Sequence, residues 1–589
     1  MNVVADPAAT ASTSALPAHF RHWPPAQPRH LTLPRTHLFH NVEVSAARFP
    51  DKPFIVFYDS LLTYADFRAQ SERLAGWLQR EGGVRPGDRV LLDAQNSPQW
   101  VLAYYAILRA DAVVVPVNPM NRCDELRHYV ADAGTRIAFV AQDLLAEVLP
   151  LLDEGAATGD GSEGLQRIVA ITYSDHLTAA TDLTVPPFIA APRNLPQRPD
   201  VTAWADAMAA GHQPDPYRAG PNDLAVMPYT SGTTGQPKGC MHTHRSVMST
   251  AVGGVHWFGR TQDWVALSVL PFFHVTGMSG GMNGPIYAGG SIVLLPRWDR
   301  DAAAQCIQRY RVMTWQAIST MVIDFVNHPR IGDHDLSSLV GIRGGGAAMP
   351  AAICAKLKAL TRLDFVEGYG MSETMAATHI NPPQRPKPQC LGVPVYDVDA
   401  RIIDPVTLTE VAPGEPGEIV VHAPQVMQDY WRAPQATAEA FLEIDGRRFL
   451  RTGDLARVDE DGYFFMTDRL KRMINASGFK VWPAEVEALL YHHPAIQEAC
   501  VIGARDERRG ETVKAIVVLK AGAEPLDAEA LMHWCHDHMA AYKVPRIVEF
   551  VTALPKSGSG KVMWRELQEQ QARRDAEAAG APTSEENPR

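Results

Sequence analysis

The sequence has few cysteines, no long apolar run and no excess of basic charge, and each shortage removes a class of function. Its seven cysteines in 589 residues are odd in number, scattered, and show no C-x-x-C spacing, as in a protein of a reducing compartment. No run approaches the ~20 apolar residues that a membrane span needs, and the first thirty residues lack a basic start followed by an apolar core. The expectation is a cytoplasmic protein with no integral membrane segment. Against 66 acidic residues stand only 55 basic ones, a formal charge of −11, which disfavours attraction to nucleic acid or anionic lipid and leaves small molecules as the expected partners.

What is present is ample core material. Apolar residues make up 46% of the chain, and its length calls for two or more domains. From Thr63 to Val140 helical and strand-like patterns alternate: "TYADFRAQSERLAGWL" puts Phe67, Leu74 and Leu78 on one helical stripe, "DRVLLDA" and "DAVVVPVNP" read as buried strands, and "SPQWVLAYYAILRA" as a second helix. This predicts layered α/β structure. "GAATGDGSEG", Gly155 to Gly164, reads as a flexible surface insertion. Near Thr467 to Lys480 the chain restarts with its own helix and strands, and about a hundred residues then remain for a small α+β domain. The expected division is a disordered extension over 1–30, a large domain over 31–468, a small domain over 469–570 and a disordered tail over 571–589.

The stretch most suited to chemistry is "YTSGTTGQPKG", Tyr229 to Gly239. Its lysine, Lys238, is preceded by Pro237 and followed by Gly239, so it is not the G-x-x-x-x-G-K-[ST] loop. The physics is similar: glycines admit a phosphate close to the backbone, amides form an anion nest, and Ser231, Thr233 and Thr234 add hydroxyls. In "GYGMSET", Tyr369 offers a flat face for a purine, Thr374 a hydroxyl for a phosphate, and Glu373 a hard carboxylate suited to magnesium. In "RTGD", Asp454 stands at a tight turn where it can accept two hydrogen bonds from ribose hydroxyls. "HWCHDH", His533 to His538, reads as a helix face whose spacing fits no standard zinc site, and "MHTH", Met241 to His244, as a helix start.

These motifs, with "GGGAAMP" (Gly344 to Pro350), "DRLK" (Asp468 to Lys471) and "LPKSGSGK" (Leu554 to Lys561), resemble, in order, the signatures of the adenylate-forming superfamily. The resemblance runs from about Leu38 to Leu567, and within the superfamily it is nearest to acyl-CoA synthetases of the medium- and long-chain fatty acid type. It implies a large adenylate-forming domain of layered α/β subdomains and a small, mobile α+β C-terminal domain. It also implies nucleotide contacts from Thr230, Ser231, Gly232, Thr233, Thr234, Gly235 and Lys238, an adenine held against Gly345, Gly346 and Ala347 and stacked on Tyr369, and a ribose on Asp454. Arg469 would touch the nucleotide, Lys471 would be the hinge, Gly478 would lie near coenzyme A, and Lys561 would be the catalytic lysine, with Thr374, Glu373 and His274 beside the reacting groups.

The chemistry so implied joins a carboxylic acid to ATP, expels pyrophosphate, and passes the acyl group of the acyl-AMP to coenzyme A. The first step needs no general base, because the attacking carboxylate is already ionised. The site must position the reactants and stabilise spreading negative charge, which suits Lys561, Lys238, loop amides and Mg²⁺. Amino-acid-activating relatives carry an aspartate where this chain has His274, so an amino acid is not expected. "TGMSGGMNGP" reads equally as room and flexible apolar lining for an acyl chain, with His274 and Gly277 at the pocket's border, or as helix packing, and Met278 stands where some long-chain members carry a gating tryptophan. Aryl acids of the cinnamate or benzoate type are the alternative substrates, and loading of a carrier protein is a weaker alternative because no insertion separates "RTGD" from "DRLK". A regulator that has lost catalysis would not retain Lys238, Glu373, Asp454, Arg469 and Lys561 together. Oligomeric partners, a homodimer among them, stay open.

Overall fold

The computed structural model describes every residue except 1–17, 158–163, 231–236, 347–348, 470–471, 473, 477–478, 482, 507–509, 557–561 and 579–589. Two large sheets organise the N-terminal part. One has nine strands, and its centre is parallel: Pro53–Phe57, Ser291–Leu294, Val265–Ser268, Thr314–Ala317, Gly341–Gly345 and Phe365–Met371 follow one another across it. Antiparallel strands close both edges. The other has seven strands built around Arg89–Asp93, Val113–Pro116 and Ile137–Ala141, also parallel. Parallel strands covered on both faces read as continuous apolar runs, and Val90, Leu91, Leu92, Val113, Val114 and Val115 are buried accordingly.

Two of the expected helices form as the pattern predicts. Tyr64–Arg80 starts where the Thr63 side chain accepts from the Asp66 amide, and it buries Phe67, Leu74 and Leu78 completely. Pro98–Arg109 has Ser97 as its N-cap and proline in its first turn. Every residue from Trp100 to Leu108 is fully buried, because this helix is covered all round instead of presenting one wet face. "MHTH" does open a helix, His244–Trp257, capped by Thr243.

A third, antiparallel sheet (Asp399–Ile403, Gly417–His422, Phe441–Ile444, Arg447–Val458, Phe464–Arg469) follows, and a fourth lies in the C-terminal part, where Ile496–Asp506 and Gly510–Leu519 form the long central pair. Helices Pro483–Leu490, Ala528–His538 and Trp564–Ala578 accompany this last sheet, which has its own apolar core around Val486, Leu490, Val501, Val517 and Leu531. The buried carboxylate of Asp468 accepts from the Ala484 amide at 2.8 Å, in the first turn of Pro483–Leu490.

The inner parts of both expected disordered ends need correction, while 1–17 and 579–589 lie outside the described residues. Residues 18–30 are ordered: Ala18–His22 is a short 3-10 helix, and Trp23 packs edge-on against Trp257 and Tyr396, with Gln384 donating to the His22 and Trp23 carbonyls. At the other end the last helix runs on to Ala578. Its polar Gln571 is drawn in because it accepts from Lys514 at 2.6 Å, a lysine that is itself buried. The insertion begins later than expected, since Gly155 still lies within the helix Leu145–Ala157 and residues 158–163 lie outside the described residues.

Candidate active site

Three of the sequence motifs emerge at the carboxyl ends of parallel strands of one sheet, where open α/β sheets place their ligands. Val265–Ser268 leads into "LPFFH", Gly341–Gly345 carries the glycine run, and Phe365–Met371 carries "GYGM". The glycines there are required by backbone approach. Gly345 pairs with Gly368, and a Cβ on Gly345 would lie 2.2 Å from the Gly368 carbonyl oxygen; one on Gly344 would lie 1.8 Å from that of Ala317. Gly346 follows exposed, with φ at +89°, a conformation that glycine adopts without strain. Ala347 lies outside the described residues.

The third sheet supplies the partner of this edge. Asp454, 5% exposed, accepts a 2.7 Å hydrogen bond from the Tyr369 hydroxyl, so the tyrosine and aspartate of two separate motifs form one unit. Opposite Asp454 in the antiparallel register stands Arg469. The bend that carries Asp454 is fastened by Glu418, a residue the sequence reading missed. Glu418 is buried, accepts from Arg451 Nη2 at 2.6 Å and Nε at 3.1 Å, and takes the Gly453 amide at 3.1 Å. Thr452 completes the fastening, donating to the Ile419 carbonyl and accepting from the Asp454 amide.

Thr230 and Lys238 face each other in a two-residue ladder, and between them Ser231, Gly232, Thr233, Thr234 and Gly235 lie outside the described residues. Gly239 and Met241 bond the backbone of Trp431, Asp429 and Gln428, and Cys240 bridges to Tyr430. This brings the Tyr430 ring to 5.4 Å from the Lys238 ammonium, while the Tyr430 hydroxyl donates to Glu373 Oε1 at 2.7 Å. Burial, then the nearby Glu373 carboxylate, pushes the Tyr430 phenol far above its ordinary range, so it stays a donor. Lysine, tyrosine and glutamate from three segments thus meet. Sequence gave no sign of Tyr430, which stands in an ordinary "QDYW".

The turn Ser372–Thr374 corrects one assignment. The Thr374 hydroxyl is buried and engaged by backbone, accepting from the Met371 amide at 2.9 Å and donating to the Ala376 carbonyl at 2.7 Å. A hydroxyl spent in this way is unsuited to a phosphate. Ser372, the residue before Glu373, keeps its side chain half-exposed on the same turn, and it could have been weighed from the Ser-Glu-Thr run. His242 holds the turn from below, donating from Nε2 to the Ser372 carbonyl at 2.7 Å; burial lowers this imidazole to about 4, so it stays neutral.

His274 caps the short helix Val275–Met278, its Nδ1 accepting from the Thr276 amide at 3.2 Å. Of the two readings of this segment, Gly277 and Met278 follow the packing one. Met278 is fully buried, and a Cβ on Gly277 would lie 2.3 Å from the Pro271 carbonyl oxygen, so that glycine serves close packing. Lys471, Gly478 and Lys561 lie outside the described residues. In the C-terminal helix, His533 and His538 bond the Glu529 and Trp534 carbonyls through Nδ1.

Fold and site together are those of an adenylate-forming enzyme. Residues 42–431 match the AMP-binding enzyme family and 485–561 the AMP-binding enzyme C-terminal domain; the chain belongs to this family. It is 35% identical to a long-chain-fatty-acid–CoA ligase of Bacillus subtilis (strain 168), covering 92% of this chain and 96% of that protein. It is 36% identical to a feruloyl-CoA synthase of Amycolatopsis sp, over 86% and 93%. Among solved structures, the anthranilate CoA ligase AuaEII in complex with anthranoyl-AMP superimposes with a TM-score of 0.77 at 27% identity, covering 93% of this chain and 99% of that one. The chain is an AMP-forming acid–thiol ligase that uses ATP and CoA and works through an acyl-AMP. No helix among the described residues is long and apolar enough to cross a membrane.

Proposed function

We propose that this ligase activates a medium- or long-chain fatty acid to its CoA thioester. The observation that carries the reading is the near end-to-end similarity to a fatty acid ligase. The similarity to a feruloyl-CoA synthase supports an aryl acid as the second reading.

The residues divide the work as follows. Tyr369 and Asp454 hold the nucleoside, the phenol fixing the carboxylate that receives the ribose. Lys238 and the amides of the loop after Thr230 receive the departing phosphates, and Ser372 replaces Thr374 as the hydroxyl beside the α-phosphate. Glu373, oriented by Tyr430, is a hard oxygen donor that fits Mg²⁺; the ion, when bound, neutralises phosphate charge. Lys561 follows a small-residue loop and reaches the reacting carboxylate during adenylation, and Lys471 at the domain joint lets the small domain turn away before CoA attacks. Arg469, opposite Asp454, touches the nucleotide, and Gly478 lies by the CoA. Pyrophosphate release across acids from acetate through fatty acids to cinnamate, with and without CoA, tests the reading. Release that peaks with fatty acids and turns over only with CoA is expected; a peak at cinnamate would favour the aryl reading and overturn the first.

A further inference from the structure

In the large domain two half-buried arginines sit together, and among the described residues no acid stands beside them. Arg343 leaves the middle of the strand Gly341–Gly345, and Arg260 follows the helix His244–Trp257. Both guanidiniums lie over the same two rings: Arg343 is 4.4 Å from Phe258 and 5.5 Å from Trp264, Arg260 5.5 Å and 5.3 Å. Among the described residues neither forms an ion pair. Arg343 Nη2 makes one long hydrogen bond, 3.5 Å to the Gly280 carbonyl, while its Nη1 and Arg260 Nε are buried with no partner. Burial lowers Arg343 to about 9, helped by repulsion from Arg260, and burial lowers Arg260 to about 10; no carboxylate acts on either. Gln316 adds a third orphan, its Oε1 buried and unpartnered beside Gly280.

An isolated buried charge is costly, and a pair of like charges more so, unless a counter-charge arrives. Their position says where it would come from. Ser279 donates to the Met375 carbonyl at 3.3 Å, on the turn that carries Glu373, and the next residue, Gly280, meets Arg343. On their strand Arg343 and Gly345 share a face, about 7 Å apart. Arg343, Gln316 and Gly280 also keep part of their surface accessible, whereas Ile342, Trp315 and Met282 beside them are fully covered. The three are thus not sealed by their neighbours, and Gly280 ties them to the segment that touches the reaction turn.

We propose that Arg343 and Arg260 bind a second carboxylate at the far end of the substrate acid, so that this ligase takes a dicarboxylic acid, activated at one end and anchored at the other. The proposal rests on the ligase reading of the same pocket and names its substrate class. A carboxylate suits the planar fork of a guanidinium in two parallel hydrogen bonds, and it supplies the negative charge that the pair lacks. A neutral hydroxyl would leave both charges uncompensated.

The test compares adipate, suberate, sebacate and dodecanedioate with the monoacids of equal length, by CoA-dependent pyrophosphate release and by the rise each acid causes in the melting temperature of the full chain. At the best length the diacid is expected to exceed its monoacid in kcat/KM by roughly 10- to 100-fold. Arg343→Met, or Arg343→Gln if the first folds poorly, should remove that advantage together with the thermal shift given by the diacid. If monoacids are turned over and every diacid is inert, or if the ratio survives both variants, the arginine proposal falls and the ligase reading stands. Failure of every acid to release pyrophosphate would count against the substrate reading instead, and the thermal shift, present or absent, still decides the arginine site.

Discussion

Glu418→Gln isolates the fastening of Asp454 from Asp454 itself. The native carboxylate takes two hydrogen bonds from Arg451 and one from the Gly453 amide, at 1% exposure for its side chain. Glutamine keeps the shape but loses the charge, and its NH₂ group must face a donor on one side. Hydrogen bonds to charged groups contribute about 1.5–3 kcal/mol each, and a buried pair that loses one charge is destabilised by about 3–5 kcal/mol. Gly453 has φ at +69°, and Thr452 is the other side chain that fastens the bend, so losing the Glu418 bonds loosens the carboxylate that Tyr369 holds. If about 1.4 kcal/mol of the loss reaches the nucleotide, the KM for ATP rises tenfold. Initial rates of pyrophosphate release at saturating acid and varied ATP measure it, with a change in kcat smaller than that in KM. A lowered melting temperature with an unchanged KM for ATP would refute the reasoning, because Glu418 would then stabilise the sheet without positioning Asp454.

Glu367 gives a pH-dependent case. It is buried, accepts among the described residues from the Met349 and Gln389 amides through Oε1, and burial raises it from 4.5 to about 7. The folded state therefore binds this proton more tightly than the unfolded chain. Its stabilising effect is whole below pH 4.5 and is lost as pH rises through about 7, an effect of roughly 3 kcal/mol at most; Glu367→Gln should raise the melting temperature at pH 8 and leave it unchanged near pH 4.5. Gly345→Ala puts a methyl 2.2 Å from the Gly368 carbonyl oxygen, and the strand must shift, so both stability (by about 1–3 kcal/mol) and ATP-dependent pyrophosphate release should fall; retention of both would show that the strand pair yields freely. Lys561→Ala is expected to slow adenylation by roughly 10² to 10³ and to spare thioester formation from preformed acyl-AMP. Equal losses in the two half-reactions would remove Lys561 from its assigned role.

The fold was legible where burial imposes a period. Phe67, Leu74 and Leu78 announced their helix, and "DRVLLDA" and "DAVVVPVNP" announced buried strands. What could not be read was long-range pairing among polar groups. Tyr369 and Asp454 each looked suited to a nucleotide, yet nothing local says that one hydrogen-bonds the other across 85 residues. Thr374 looked like a phosphate donor because its chemistry is right; only the turn geometry shows the hydroxyl turned into the backbone, with Ser372 left half-exposed. The chain ends were misread for the opposite reason. Their composition is that of solvated chain, but Trp23 and Gln571 each find a specific partner in the folded domains.

The same distinction explains why the acyl end of the site was the hardest to read. Glycines after His274 look like empty volume, and the arginine of "GIRGGG" carries no local signal at all. In the folded chain Gly277 is filled to contact by the Pro271 carbonyl, while half-buried Arg343 keeps a buried Nη1 without a partner. Apolar walls discriminate weakly, since one methylene more or less is worth only about 1–3 kcal/mol, whereas a site built to bind a polar group rejects analogues lacking it by about 10⁴ or more. Similarity to fatty-acid and aryl-acid ligases reports the shared nucleotide machinery and the apolar walls. Substrate choice between them then turns on the few polar atoms inside the pocket, and here those atoms are Arg343, Arg260 and Gln316.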